Sequence, residues 1–173
     1  MTAIYVDATT LIGLGTIGEL AALDAFDATP VLLSTVEAEV TTDPAKTNLQ
    51  RAQDRETVQP KPSEIEFDDD QAKLIMDEDD VNGDVRIIAA VLAHTDTEDD
   101  VAVVSDNRRV RTVARGLGAE VTGTIGVLVR AVEAGRYDVG QAKQIVRRLD
   151  AHGLHMTAAL REKAVDLLEN ATD

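Results

Sequence analysis

Cysteine and tryptophan are absent from this 173-residue chain, and only four aromatic side chains are present. The missing cysteines exclude zinc fingers, thiol redox centres and cysteine nucleophiles. Four scattered rings and no tryptophan argue against a base-stacking platform for nucleic acid. Lysine is scarce too: 5 Lys and 12 Arg stand against 20 Asp and 12 Glu, a formal net charge of −15. Long apolar runs are also lacking. The longest stretch without a charged side chain, Ala8 to Gly18, has 11 residues, whereas a helix crossing a bilayer needs about 20. No basic n-region or cleavage-type apolar run opens the sequence, so neither a membrane span nor a secretory signal is expected, and the cytoplasm is the expected location.

What is present suffices for one domain. Val, Ile, Leu and Ala recur in periodic runs, enough to bury a core without disulfides or a structural metal. The excess of carboxylates and the few lysines resemble the proteome of a cell with molar internal salt, where a Debye length of about 3 Å makes such self-repulsion tolerable. The charge is uneven. Residues 64–100 hold 14 acids and 2 bases, whereas 101–173 hold 9 acids and 11 bases.

Hydrophobic periodicity predicts alternating strands and helices. Ala3 to Val6 reads as a strand ending in Asp7, and Thr16 to Ala25 as a helix with Ile17, Leu20, Ala21 and Leu23 inward. Val31 to Leu33 reads as a second strand, and Ser34 with Glu37 as the capping box of the next helix. The polar stretch Thr41 to Phe67, with Asp43 before Pro44 as a cap and Pro60-Lys61-Pro62 as a breaker, is expected to be a mobile helical excursion. Helices are predicted from about Asp68 to Met76 and Asp84 to Ala93, then a strand Val101 to Val104, a helix marked by Val110, Val113, Ala114 and Leu117, and a strand Glu120 to Thr122. Gly116 and Gly118 supply the helix stop. Three amphipathic helices close the chain, near Ile125 to Ala134, Gly140 to Ala151 and Thr157 to Asn170, the last two joined through His152-Gly153. The expected class is α/β, with a mainly parallel central sheet flanked by helices. The expected division is an α/β domain over 1–135 and a helical extension over 136–173 packed on it.

Four acids stand at element boundaries beside apolar residues. Asp7 ends the first strand and Asp106 lies just beyond Val101 to Val104, so a parallel sheet brings both to its C-terminal edge, where open α/β sheets place ligands. Asp84 opens a helix whose Ile87, Ile88 and Val91 share its face, and Glu39 shares the face of Val36. Four such carboxylates need cations to stay ionised together, and hard oxygen donors suit Mg²⁺ or Mn²⁺. Structural alternatives stand beside this reading: Asp84 as a helix cap and Asp106 as the start of an Asx-turn. His94, His152 and His155 show no ligand spacing and are assigned no role.

The run Ile4-Tyr-Val-Asp7-Ala-Thr9-Thr-Leu-Ile12 resembles the opening of PIN-domain proteins, and Asp84-Val-Arg-Ile87-Ile-Ala89-Ala resembles the PIN helix that begins with an acidic ligand. Val103-Val-Ser105-Asp106-Asn-Arg-Arg109 resembles the closing strand and loop. Leu117 to Arg130 with its helical tail is similar to a PIN-like subgroup related to VapC toxins. The resemblance covers essentially the whole chain outside Thr41 to Phe67. It implies a PIN-like three-layer α/β/α sandwich and a Mg²⁺- or Mn²⁺-dependent ribonuclease. Asp7, Glu39, Asp84 and Asp106 would be the catalytic, metal-holding acids, with Thr9, Ser105 and Asn107 in support. Glu37 competes with Glu39 as second acid, and Glu39 is preferred because the capping box occupies Glu37.

Arg108, Arg109, Arg111 and Arg115 follow Asp106 and are candidate phosphate contacts, or else salt-bridge partners of the acidic segment. The expected function is an RNA-hydrolysing endonuclease, in one version a VapC-like toxin with an antitoxin partner. The resemblance also implies a homodimer. Two other classes compete. One is a PIN-like module that binds nucleic acid or protein without cleaving. The other is a dinucleotide-binding oxidoreductase, suggested by Gly13-Leu-Gly15-Thr-Ile-Gly18 with Glu37 further on.

Overall fold

In a computed structural model, which describes residues 2–152 and 154–172, five strands form one all-parallel sheet. The strands are β1 (Ala3–Val6), β2 (Val31–Leu32), β3 (Gln59–Pro60), β4 (Val101–Val104) and β5 (Glu120–Thr122), in the order β3-β2-β1-β4-β5. Nine α-helices lie among the described residues: α1 (Ala8–Thr16), α2 (Ser34–Glu39), α3 (Ala45–Asp54), α4 (Asp69–Met76), α5 (Gly83–His94), α6 (Arg108–Gly116), α7 (Thr124–Glu133), α8 (Val139–His152) and α9 (Ala158–Asn170). The expected α/β class and layered sandwich are present, and the sheet is wholly rather than mainly parallel. No helix among the described residues is long and apolar enough to cross a membrane.

Strand order reverses between β1 and β4, the place where open α/β sheets form a ligand crevice. Those two strands pair in register from Ala3 with Val101 to Val6 with Val104, so Asp7 and Ser105 leave the sheet at one level. Helix α5 is buried at Val85 and from Ile87 to Val91, apolar around most of its circumference as a central helix must be. Beneath it the Tyr5 hydroxyl meets His94 Nε2 at 2.8 Å. Burial pushes Tyr5 up to about 12 and His94 below its ordinary value. His94 is therefore a core partner, while His152 and His155 are exposed.

Several local expectations are corrected. The first helix begins at Ala8, not Thr16, because Asp7 caps it by accepting the Thr10 N–H at 2.9 Å. Its glycines are there for contact: a Cβ on Gly15 would stand 3.1 Å from the Ala45 backbone of α3. After Gly18, whose φ is +75°, the chain makes a 3₁₀ turn over Leu20–Ala25 that buries Ala22 and exposes Ala21. Gly13 to Gly18 thus occupy a helix body and its end rather than a strand-to-helix turn, which removes the phosphate-binding geometry of the dinucleotide reading.

The Ser34–Glu37 capping box does not form. Leu33 is the N-cap without a side-chain bond, Ser34 is already helical, and Glu37 accepts from Gln53 at 3.0 Å. The excursion over 41–67 carries α3, whose N-cap is Pro44 rather than Asp43 although Asp43 accepts the Thr47 N–H of its first turn at 3.0 Å, and the unexpected edge strand β3. Proline is compatible with that position, since an edge strand has one side with no ladder bond to make. Of the two glycines after the α6 stripe, Gly116 is the last helical residue and only Gly118 is left-handed, at φ +96°.

The terminal helices pack on the same core. Ala142, Ile145, Val146 and Leu149 of α8 and Ala164 and Leu168 of α9 are buried with the sheet helices, and a Cβ on Gly13 would touch Leu149 at 3.6 Å. The expected junction at Gly153 lies outside the described residues.

Candidate metal centre

Each of the four acids arrives at the C-terminal sheet edge by a different route. Asp7 follows β1, Glu39 ends α2 beyond β2, Asp84 is the second residue of α5, and Asp106 follows β4. Asp7 is buried. Its Oδ2 accepts from Ser105 Oγ at 2.7 Å and its Oδ1 from the Thr10 N–H. Burial nevertheless holds its carboxyl above the ordinary range, the neighbouring Asp106 charge pushing the same way against the hydrogen bonds of Ser105 and Thr10. Asp84 is also raised, first by burial and then by the charges of Asp7, Glu39 and Glu78, with Asn107 working in the other direction.

Asp84 is not a cap, because Asn82 caps α5 by accepting from the Val85 N–H at 2.9 Å. Its carboxylate is left to the cluster, where Asn107 Nδ2 donates to Oδ2 at 3.1 Å. Asn107 also caps α6, its Oδ1 accepting from the N–H groups of Arg109 and Val110. Its own N–H donates to Ser105 Oγ at 3.1 Å. One residue thereby links the ends of β1, β4, α5 and α6.

Glu39 Oε1 accepts the Gly83 N–H at 2.7 Å. A Cβ on Gly83 would stand 2.9 Å from both Glu39 oxygens, so a larger residue there would displace the carboxylate. Glu39 lies against the start of α5 and Glu37 against α3, and the capping box expected to occupy Glu37 is absent. Glu39→Gln is expected to weaken Mn²⁺ binding by at least about tenfold, while Glu37→Gln leaves it unchanged, as isothermal titration of the two variants would show.

Asp106 reaches across the edge to α7. Its Oδ1 accepts the Thr124 N–H at 2.9 Å and its Oδ2 the Thr124 hydroxyl at 2.5 Å. A Cβ on Gly123 would lie 2.5 Å from Oδ1, so glycine is what permits this approach.

Of the supporting residues, Ser105 and Asn107 join the cluster, but Thr9 is exposed and the hydroxyl beside Asp7 belongs to Thr10. The structure adds Thr10 and Thr124 to the cluster, which the sequence does not single out. The three-residue spacing of Asp7 and Thr10 and the Gly123-Thr124-Ile125-Gly126 run before an amphipathic helix were the available signals.

The arginines divide. Arg109 donates to the Met76 carbonyl and faces Glu78 at 3.7 Å, a tie to the α4 end. Arg108, Arg111 and Arg115, three and four residues apart, share one stripe of α6 and have no carboxylate partner among the described residues. Arg111 Nη1 comes within 3.6 Å of the place a Gly123 Cβ would take, beside Asp106.

As donors the four carboxylates fit a hard divalent cation in chemistry, and burial first, with neighbouring carboxylates adding to it, pushes Asp7 and Asp84 above the ordinary range. As the side chains stand, no three acids or histidines among the described residues are close enough to share one ion. Mg²⁺ sites commonly use only one or two carboxylates, with waters and substrate phosphates completing the shell. The roughly 590 Å³ cavity lined by Ile4, Ala102, Val104, Val121 and Val129 is apolar and includes none of the four.

An all-parallel sheet with acids collected at its switch point is an α/β fold whose C-terminal edge suits a ligand site. A family model described as a PIN domain matches residues 3–170, and this chain belongs to the PIN-domain family. Its members are generally nucleases and usually bind divalent metals. No curated protein and no solved structure gives a significant match to the chain.

Proposed function

We propose that this protein is a divalent-metal-dependent endoribonuclease of PIN type, hydrolysing RNA phosphodiesters with Mg²⁺ or Mn²⁺ held by Asp7, Glu39, Asp84 and Asp106. The observation that carries this reading is the delivery of four carboxylates by four separate elements to one sheet edge. A bound ion supplies an activated water and neutralises the leaving oxygen. The chain's own part is to hold the acids in place through Ser105, Asn107 and Gly83, and to receive the phosphate backbone on the α6 arginines.

The stripe of Arg108, Arg111 and Arg115 begins beside Asp106 and runs about 10 Å along α6, which suits consecutive phosphates of one strand. Binding should therefore depend on salt through these three residues. In chelator, the triple variant R108Q/R111Q/R115Q is expected to reduce the slope of log K against log salt by about 2 for single-stranded RNA. Arg109→Gln should leave that slope unchanged. Fluorescence anisotropy across a salt series measures both.

The same proposal takes the cytoplasm as location, a homodimer as the working form and, in a VapC-like toxin, an antitoxin as protein partner. Its test is cleavage of end-labelled RNA at molar KCl with Mn²⁺ or Mg²⁺ and with chelator. Metal-dependent cutting supports the nuclease. Mn²⁺ and RNA binding without cutting supports the silent binding module in its place.

A further inference from the structure

Between Asp7 and Asp106 lie two fully buried hydroxyls whose protons can be counted. Thr10 and Thr124 are 0% and 1% exposed, so bulk water does not compete for their bonds. Their Oγ1 atoms are 3.2 Å apart, and Thr124 Oγ1 is 2.5 Å from Asp106 Oδ2. Each hydroxyl has one proton to give. Thr124 gives its proton to the nearer, charged acceptor, Asp106. Thr10 must then serve either Thr124 Oγ1 or the Asp7 carboxylate, with which it also interacts. With the Thr10 proton on Thr124 Oγ1 the two threonines join one acid to the other, Asp7 being held by the Thr10 N–H and Asp106 by the Thr124 hydroxyl.

The bridge joins elements far apart in sequence. Thr10 lies in the first turn of α1 and Thr124 opens α7, so their contact fixes the starts of two helices that emerge beside β1 and β5. The backbone of the same residues acts in parallel: the Thr10 N–H binds Asp7 and the Thr124 N–H binds Asp106. Each threonine therefore grips its own acid by the main chain and its opposite number by the side chain. This contact adds a second tie between the two carboxylates to the one made by the paired strands and Ser105.

We propose that Thr10 and Thr124 are positioning residues that fix Asp7 and Asp106 relative to each other for divalent-cation binding. The inference rests on the reading of this edge as a metal centre, and it adds two residues that touch neither the ion nor the substrate. A threonine that merely filled the core would affect folding stability alone. A strut changes cation affinity, and serine, which keeps the hydroxyl, restores it where valine, which keeps the shape, does not.

Isothermal titration of the full chain with Mn²⁺ provides the readout, on wild type, Thr124→Val, Thr124→Ser, Thr10→Val, Thr10→Ser and the double valine variant. Each valine variant is expected to bind Mn²⁺ about 10- to 100-fold more weakly, the range seen when a residue orienting a metal ligand is lost. Each serine variant should stay near wild type, and the double variant should lose less than the product of the two single losses, since both break one bridge. Thr57→Val, at a buried threonine outside the cluster, serves as a control that alters stability and leaves Mn²⁺ affinity unchanged. Wild-type affinity in the valine variants would overturn the strut, as would equal losses in the serine and valine variants. If Thr124→Val fails to fold, the Thr10 pair decides by the same criterion. Failure of the wild type itself to bind Mn²⁺ would instead overturn the metal-centre reading on which the strut depends.

Discussion

Asp7→Asn is expected to abolish metal-dependent RNA cleavage and, in the same molecule, to raise the melting temperature in chelator. Loss of activity follows from the proposed role of Asp7 as a metal-holding acid, buried at the end of β1 beside Asp106 and Asp84. Changing a residue that merely orients a metal ligand costs about 10- to 100-fold in affinity or activity, so removing a ligand charge should cost at least about 100-fold. The gain in stability has the opposite origin. Asp7 is 2% exposed and burial disfavours its ionised form. Asparagine keeps an oxygen for the Thr10 N–H while removing the charge. For a chain of this size each kcal/mol relieved raises the melting temperature by about 2–4 °C. Gel assays and thermal melts of one preparation check both halves. A variant both inactive and less stable than wild type would mean that Asp7 is chiefly a structural cap.

The second large effect is a reversal of the pH dependence of stability on adding metal. Asp7 and Asp84 both have folded-state values above those of the unfolded chain. Their contribution is therefore fully present below the ordinary carboxylate range, and is lost as pH rises through the raised folded values. In chelator, melting temperature should thus fall as these groups ionise. On the proposed reading Mn²⁺ binds the ionised acids, so its stabilisation should grow over that same window and vanish below it. At 100 times the dissociation constant the ion adds about 2.7 kcal/mol, or about 5–11 °C at the conversion above. Thermal melts from pH 4 to 8, with Mn²⁺ and with chelator, should coincide at the acid end and diverge as pH rises. Parallel curves would argue against a cation at this edge.

Much of this arrangement was legible in the sequence, for reasons that can be traced. Asp7 and Asp106 were readable because an apolar run of four residues, Ala3–Val6 or Val101–Val104, can only be a short buried strand, and a parallel sheet then determines the edge at which the next residue appears. Asp84 was readable from the apolar stripe that follows it. The bonds between elements were not. Thr9 and Thr10 are chemically identical neighbours, and only the turn begun by the Asp7 cap decides which is buried. The division of the arginines was hidden for a similar reason: Arg109 turns to the Met76 carbonyl, a backbone acceptor 33 residues away. Helix α1 was misplaced because its two interior glycines lower helix propensity, and their use appears only once α3 and α8 are packed against them.

The short edge strands bear on how the molecule behaves among its own copies. At molar ionic strength a charge of −15 is screened within about 3 Å, so electrostatic repulsion no longer keeps neighbouring chains apart. Protection against sheet-to-sheet growth must then be steric. One border of the sheet is a two-residue strand that ends in Pro60, which has no N–H to offer an incoming strand. The other is the three residues Glu120–Thr122, closed by the turn into α7. Neither border gives a passing strand enough consecutive donors and acceptors to dock, so resistance to aggregation is built into the length of the edges and survives the loss of charge repulsion.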